Sequence, residues 1–226
     1  MSLSLLNMSV DTHQMKHSLY LKHKCVDHSV VDIFELIASR RWQRLKATIF
    51  MHRSALTRCH GKCHPSCTSR HNALHYACQF HPPLDVIRCL CKAYPKAVFE
   101  RDCKQRYPLH IACMQGCSFE VVNFLLNKNP EAAKKADIKY RTPFLHAFKS
   151  YVCRSGLEWS VANKELIRIA RALLVAAPMS PMMQDCDNMT AIEYALDGEN
   201  DISTIKFVQF VSLKIKKEIM KNVIDL

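Results

Sequence analysis

The sequence predicts an all-α solenoid, a stack of antiparallel helix pairs joined by extended turns. Three observations predict it. A short helix-opening phrase occurs three times in nearly the same form: Asn72-Ala73-Leu74-His75-Tyr76-Ala77, Tyr107-Pro108-Leu109-His110-Ile111-Ala112 and Thr142-Pro143-Phe144-Leu145-His146-Ala147. Its alanines fall 35 residues apart (77, 112, 147), and a fixed period of this size marks a stacked repeat architecture. A second apolar cluster and then a proline follow each of the first two phrases at constant offsets.

Taken in order, residues 1–29 are polar, rich in His and Lys and without a sustained period, which predicts a mobile tail. From Val30 the apolar residues Ile33, Phe34, Leu36, Ile37, Leu45, Ile49 and Phe50 predict two short helices broken near Ser39-Arg40-Arg41. Residues 30–58 thus read as an N-terminal cap, whose polar outer side keeps a solenoid soluble. A Cys/His-rich loop spans 59–71.

The repeats occupy 72–198. After Ala77 come Val86, Ile87, Leu90 and Cys91, and after Ala112 come Val121, Val122, Leu125 and Leu126, each set on one helical face. Pro95 and Pro130 end these units eighteen residues beyond the alanine, because proline cannot continue a helix. The third unit obeys the same offsets once thirteen residues are inserted, about 151–163, placed between its two helices and holding Trp159. A fourth opening, Thr190-Ala191-Ile192-Glu193-Tyr194-Ala195, lies 48 residues after Ala147, which is 35 plus 13. Residues 199–226 then read as a C-terminal capping helix, with Ile202, Ile205, Val208, Val211, Ile215 and Ile219 as its apolar side and lysines among them.

The phrases resemble the Thr-Pro-Leu-His-x-Ala signature of ankyrin repeats. Asp102, Asp137 and Asp185 stand five residues before the last three openings, where that family places an Asp in the turn between repeats. Gly116 lies where the family ends its first helix. Thr or Asn at the N-cap accepts from an orphan N–H, and Pro at the first helical position is pre-set for the helix. Departures are Leu145 and Glu193 in place of the phrase's His, Tyr107 in place of its Thr, and Gln105, Tyr140 and Asn188 in place of the turn glycine. His75 and His110 are, by the resemblance, packed structural residues.

The resemblance implies a non-enzymatic protein-binding scaffold or adaptor that meets its partner through turn tips and the concave face. Carried onto this chain, the tips are Lys104, Gln105 and Arg106, then Lys139, Tyr140 and Arg141, then Asn188 and Met189. Their basic character points to a partner with an acidic or mixed-polarity surface. Arg and Tyr are favoured hot-spot types.

Composition narrows the alternatives. The 226-residue chain carries a formal charge of +12, with eleven Lys or Arg against four acids in residues 1–71. Such a bias suits an acidic protein patch or phosphates. Without a nucleic-acid module or interleaved aromatics, the basic residues read as a solvated tail and cap in preference to a nucleic-acid binder. No stretch reaches the length of a membrane span. The start lacks a cationic region and a long enough apolar run for a signal peptide, which predicts a cytoplasmic or nuclear protein with mostly reduced thiols. No nucleophile motif, phosphate loop or carboxylate pair appears, so no catalysis and no cofactor are expected. One other chemistry is open: Cys59, Cys63, Cys67 and His71 offer a tetrahedral zinc set, or exposed thiols for redox sensing. Their regular spacing of three intervening residues differs from two close Cys pairs, and a plain loop is the stronger reading.

Overall fold

A computed structural model describes residues 32–51, 56, 71–198 and 200–224. Its described residues are all-α, with no strand. Among the described residues ten bounded helices follow in pairs: α1 (Ile33–Ala38) and α2 (Trp42–Ile49); α3 (Ala73–Ala77), prolonged by a 3-10 turn Cys78–Phe80, and α4 (Leu84–Ala93); α5 (Pro108–Gln115) and α6 (Phe119–Lys128); α7 (Pro143–Arg154) and α8 (Trp159–Ala176); α9 (Ala191–Asp197) and α10 (Ile202–Ile224). The odd-numbered helices stack on one another as one layer and the even-numbered helices as a second. This is the solenoid the period predicts.

Each opening is a cap in physical terms. Asn72 Oδ1 accepts from the N–H groups of Leu74 and His75, both at 3.1 Å. Thr142 Oγ1 accepts from Leu145 N–H, and the Glu193 carboxylate accepts from the N–H and hydroxyl of Thr190. Tyr107 has no such side-chain bond; instead His110 Nδ1 accepts from its N–H at 3.2 Å. The small alanines Ala77, Ala112, Ala147 and Ala195 are fully buried and let the first helices approach closely. Behind them Val86, Ile87, Val121, Val122, Ile169 and Leu173 have no exposed surface. Each such side chain contributes about 1.5–3 kcal/mol by leaving water.

The second helices end on a common pattern. The residue before the proline leaves helical angles, at φ −137° for Tyr94, −144° for Asn129 and −141° for Ala177. A 3-10 turn follows in each case, Pro95–Phe99, Pro130–Lys134 and Ser180–Met182. It buries Ala97 and Val98, Ala132 and Ala133, or Ser180 and Pro181. On the outside, cations over aromatic rings join successive second helices: Arg88 over Phe124 at 5.8 Å, Arg168 over Phe119 at 4.2 Å and Arg171 over Phe207 at 5.7 Å.

The structure corrects two expectations here. The thirteen-residue insert is not a separate segment between helices. Compared with the preceding unit, the first helix grows from 8 to 12 residues and the second from 10 to 18, and the connecting loop gains one residue. Added residues with helical periodicity continue existing hydrogen-bond ladders more cheaply than they form a new loop. The apolar side of α10 is also less fully buried than the pattern suggested: Val208 and Ile215 are buried, but Ile202 is 70% exposed and Ile219 39% exposed. The tail at 1–29 lies outside the described residues.

Candidate docking surface at the turn tips

Three turns between repeats share one construction. Asp102 Oδ1 accepts from the N–H groups of Lys104 and Arg106 at 2.9 Å each. Asp137 Oδ1 does the same for Lys139 and Arg141, and Asp185 Oδ1 for Asp187 and Met189. The backbone closes each turn with a further pair, Asp102 N–H to Arg106 C=O and Gln105 N–H to Asp102 C=O in the first. Consecutive turns are joined as well: Ile138 N–H donates to Lys104 C=O at 3.1 Å, and Cys186 N–H to Lys139 C=O at 3.0 Å. The tips therefore form a hydrogen-bonded row.

The geometry explains the missing glycines. Gln105, Tyr140 and Asn188 all sit at left-handed φ, 60°, 58° and 59°. The turns keep these angles without a glycine because the Asp bonds and the neighbouring turn hold the backbone there. Left-handed angles cost an L-residue roughly 1–2 kcal/mol. Asn tolerates them best, while Gln and Tyr hold them against their preference.

The bonds at the second carboxylate oxygen differ from turn to turn. Asp102 Oδ2 pairs with its own turn's Arg106, at 2.8 Å to Nε and 2.6 Å to a terminal nitrogen. Asp137 Oδ2 receives His146 Nε2 at 2.9 Å. Asp185 Oδ2 receives Arg141 Nε at 2.7 Å and the Tyr194 hydroxyl, while Asp187 takes another Arg141 nitrogen at 2.9 Å. Burial pushes the Asp137 carboxyl up, but the bonds from His146 and from the N–H groups of Arg141 and Lys139 outweigh it and hold it at about 2. Asp185 is likewise opposed by burial and held at about 2 by Tyr194 and Arg141.

The histidines are structural. His75 Nδ1 meets Asn72 Oδ1 at 2.9 Å and its Nε2 meets Arg106 C=O at 3.0 Å, tying one repeat to the next turn. His110 Nε2 meets Lys135 C=O at 2.9 Å. Burial lowers His75 to about 4 and His110 to about 3, so both are neutral at pH 7. In the third unit Leu145 fills the phrase's His position, and His146, one place later, reaches back to Asp137 instead.

These facts sort the residues assigned to partner binding. Lys104, Gln105, Lys139, Tyr140 and Asn188 are exposed and Met189 is half-buried. Arg106 and Arg141 are not free for a partner, which corrects their assignment: both guanidinium groups are committed to carboxylates, and Arg141 is 8% exposed. Sequence reasoning missed Ile138, which is 56% exposed beside Tyr140 at 66%. The first helices continue this face with a shallow cleft lined by Met114, Lys149, Ser150, Cys153 and Arg154. Lys149 donates to the Tyr194 hydroxyl at 2.9 Å and lies 4.3 Å over its ring. Burial lowers its pKa.

Of the candidate zinc ligands, Cys59, Cys63 and Cys67 lie outside the described residues. His71 packs against the first turn, with its ring 5.5 Å from that of His75 and Nδ1 4.0 Å from Asp102 Oδ2. Among the described residues, Asp185, Cys186 and Asp187 bring ligand-type atoms within 4.8 Å of one another. Arg141 and Tyr194 already occupy these carboxylates, so ion pairing accounts for the grouping.

Residues 45–141 match the family model for ankyrin repeats (3 copies). No curated protein matches the chain. The match starts inside α2 and ends one residue before Thr142, so the lengthened third unit and the fourth lie beyond it while keeping the same turn construction.

Proposed function

We propose that this chain, an ankyrin-repeat protein, binds another protein through its row of turn tips and the adjoining face of the first helices, and does so without catalysis. Ankyrin repeats are generally protein-protein interaction modules. The observation that carries the reading to this surface is the second tip. Ile138, Lys139 and Tyr140 project from a turn whose backbone is fixed by Asp137 and by bonds to the turns on both sides. A rigid tip that exposes an aromatic and an aliphatic side chain loses little entropy on docking. Tyr is also a frequent hot-spot residue.

The chemistry of the partner follows from the charges. Lys104, Lys139, Lys149 and Arg154 are exposed along this face, whereas the third tip presents Asp187. A complementary surface is acidic opposite the first two tips and mixed opposite the third. The eight described cysteines are all free, which suits the reduced thiols of cytoplasm or nucleus.

The test compares partners captured by wild type and by Tyr140→Gly with Lys104→Glu and Lys139→Glu, from cells that express the protein. Partners lost from the variant while its helical signal and melting are kept would support the reading. An unchanged set of partners would remove the tips from the account.

A further inference from the structure

α10 closes the stack with one side and leaves the other uncovered. Thr204, Val208, Ser212 and Ile215 are buried against the body. Ile202, Phe210, Leu213 and Met220 are 70%, 68%, 51% and 61% exposed. From Lys216 to Asn222 every residue is exposed, so these turns of the helix project beyond their neighbours. At about 100° per residue, Ile202, Phe210, Leu213 and Met220 share one side, opposite the buried residues. Lys206 and Lys217 stand within that stripe, and Lys214, Lys216 and Lys221 flank it; all five are exposed. Glu218 is the one acid from Ile202 to Asn222.

The charges choose among occupants. A second copy would set the same lysines against one another in a two-fold contact. A membrane surface suits an unbroken apolar sector with basic residues at its edges, and here two lysines interrupt the sector. A protein groove can set a carboxylate opposite each lysine, within the apolar sector as well as beside it. We propose that the outer side of α10 docks as a helix into the groove of an acidic partner protein, with Phe210, Leu213 and Met220 as apolar anchors and the lysines facing the partner's carboxylates. The proposal stands on α10 alone and is independent of the turn tips.

The probe is calcium-loaded calmodulin, an acidic protein that exposes a methionine-rich apolar groove only with calcium. It is titrated calorimetrically against the full chain, with and without a calcium chelator. The expected result is saturable binding in calcium that disappears with chelator. Phe210→Ser with Leu213→Ser should weaken it at least about tenfold. Lys214→Glu with Lys221→Glu, which flank the apolar stripe and leave it intact, should do the same. All four residues are exposed, so circular dichroism should show unchanged melting, and the lysine pair decides if the other pair unfolds. Absence of wild-type binding, or equal binding by both variants, overturns the proposal. Tighter association with phosphatidylserine vesicles than with the probe, or a dimer that Phe210→Ser with Leu213→Ser dissociates, also overturns it.

Discussion

At the scale of residues, the turn aspartates do most of the organising. One carboxylate oxygen of each holds two backbone N–H groups, and the other accepts from an arginine, a histidine or a tyrosine, near in the chain or far. Arg106 was within reach of a local reading, since Asp102 lies four positions before it. Arg141 was not, because its partners Asp185 and Asp187 are 44 and 46 residues away across the lengthened unit. A basic residue beside a turn looks the same in sequence whether it faces solvent or a buried carboxylate. Among the described residues three buried side-chain atoms stand against the general satisfaction of buried polar groups: the Tyr151 hydroxyl, Asn200 Oδ1 and the Ser212 hydroxyl. Tyr151 is fully buried on α7, and its hydroxyl has no hydrogen-bond partner among the described residues. Tyr151→Phe removes an unsatisfied group without changing shape, so it should leave stability unchanged or raise it by about 1 kcal/mol in urea unfolding. A loss of more than about 1 kcal/mol would mean that the hydroxyl has a partner.

At the scale of elements, the helix openings were legible because caps and apolar spacing act locally. Asn72 and Thr142 cap as their chemistry dictates, and the prolines end the second helices. The fate of the insert was not legible. Its length was visible from the spacing of Ala147 and Ala195, but its division between α7 and α8 depends on packing against neighbouring units. Gly116 shows how tightly those units meet. It sits at φ 74° at the end of α5, and a Cβ there would lie 2.5 Å from the backbone nitrogen of Ser155 at the end of α7. Neither backbone can give way without shifting a helix end. Gly116→Ala should therefore cost roughly 3 kcal/mol, from left-handed strain plus overpacking, measured by urea unfolding. A cost below about 0.5 kcal/mol would show that the two helix ends separate readily.

At the scale of the whole molecule, the repeats are bonded in series, and acid should undo that series. His75 and His110 are lowered by burial to about 4 and about 3, against an ordinary value of 6.5. The unfolded chain therefore binds more protons than the folded one below pH 6.5, and stability falls as pH drops through that window. Each histidine contributes a slope of up to about 1.4 kcal/mol per pH unit. Asp137 and Asp185, held at about 2 against 3.8, act in the same direction at lower pH: their stabilisation is complete above 3.8 and is lost as pH falls toward 2. Urea midpoints should fall steadily from pH 7 to pH 4.5, and His110→Gln should flatten the slope. A pH-independent midpoint across that range would mean that these histidines are accessible to protons in the fold.

The turn tips are rigid by construction and exposed for docking, and Tyr140 carries both properties. Its backbone is left-handed and its side chain is mostly exposed. Tyr140→Gly relieves the strain and removes the contact group together. The most direct measurement is unfolding stability and partner capture on the same preparation of this variant. The expected result is a fold more stable by roughly 0.5–1 kcal/mol with partner capture reduced. Reduced stability would contradict the strained-turn account, and undiminished capture would contradict docking at this tip.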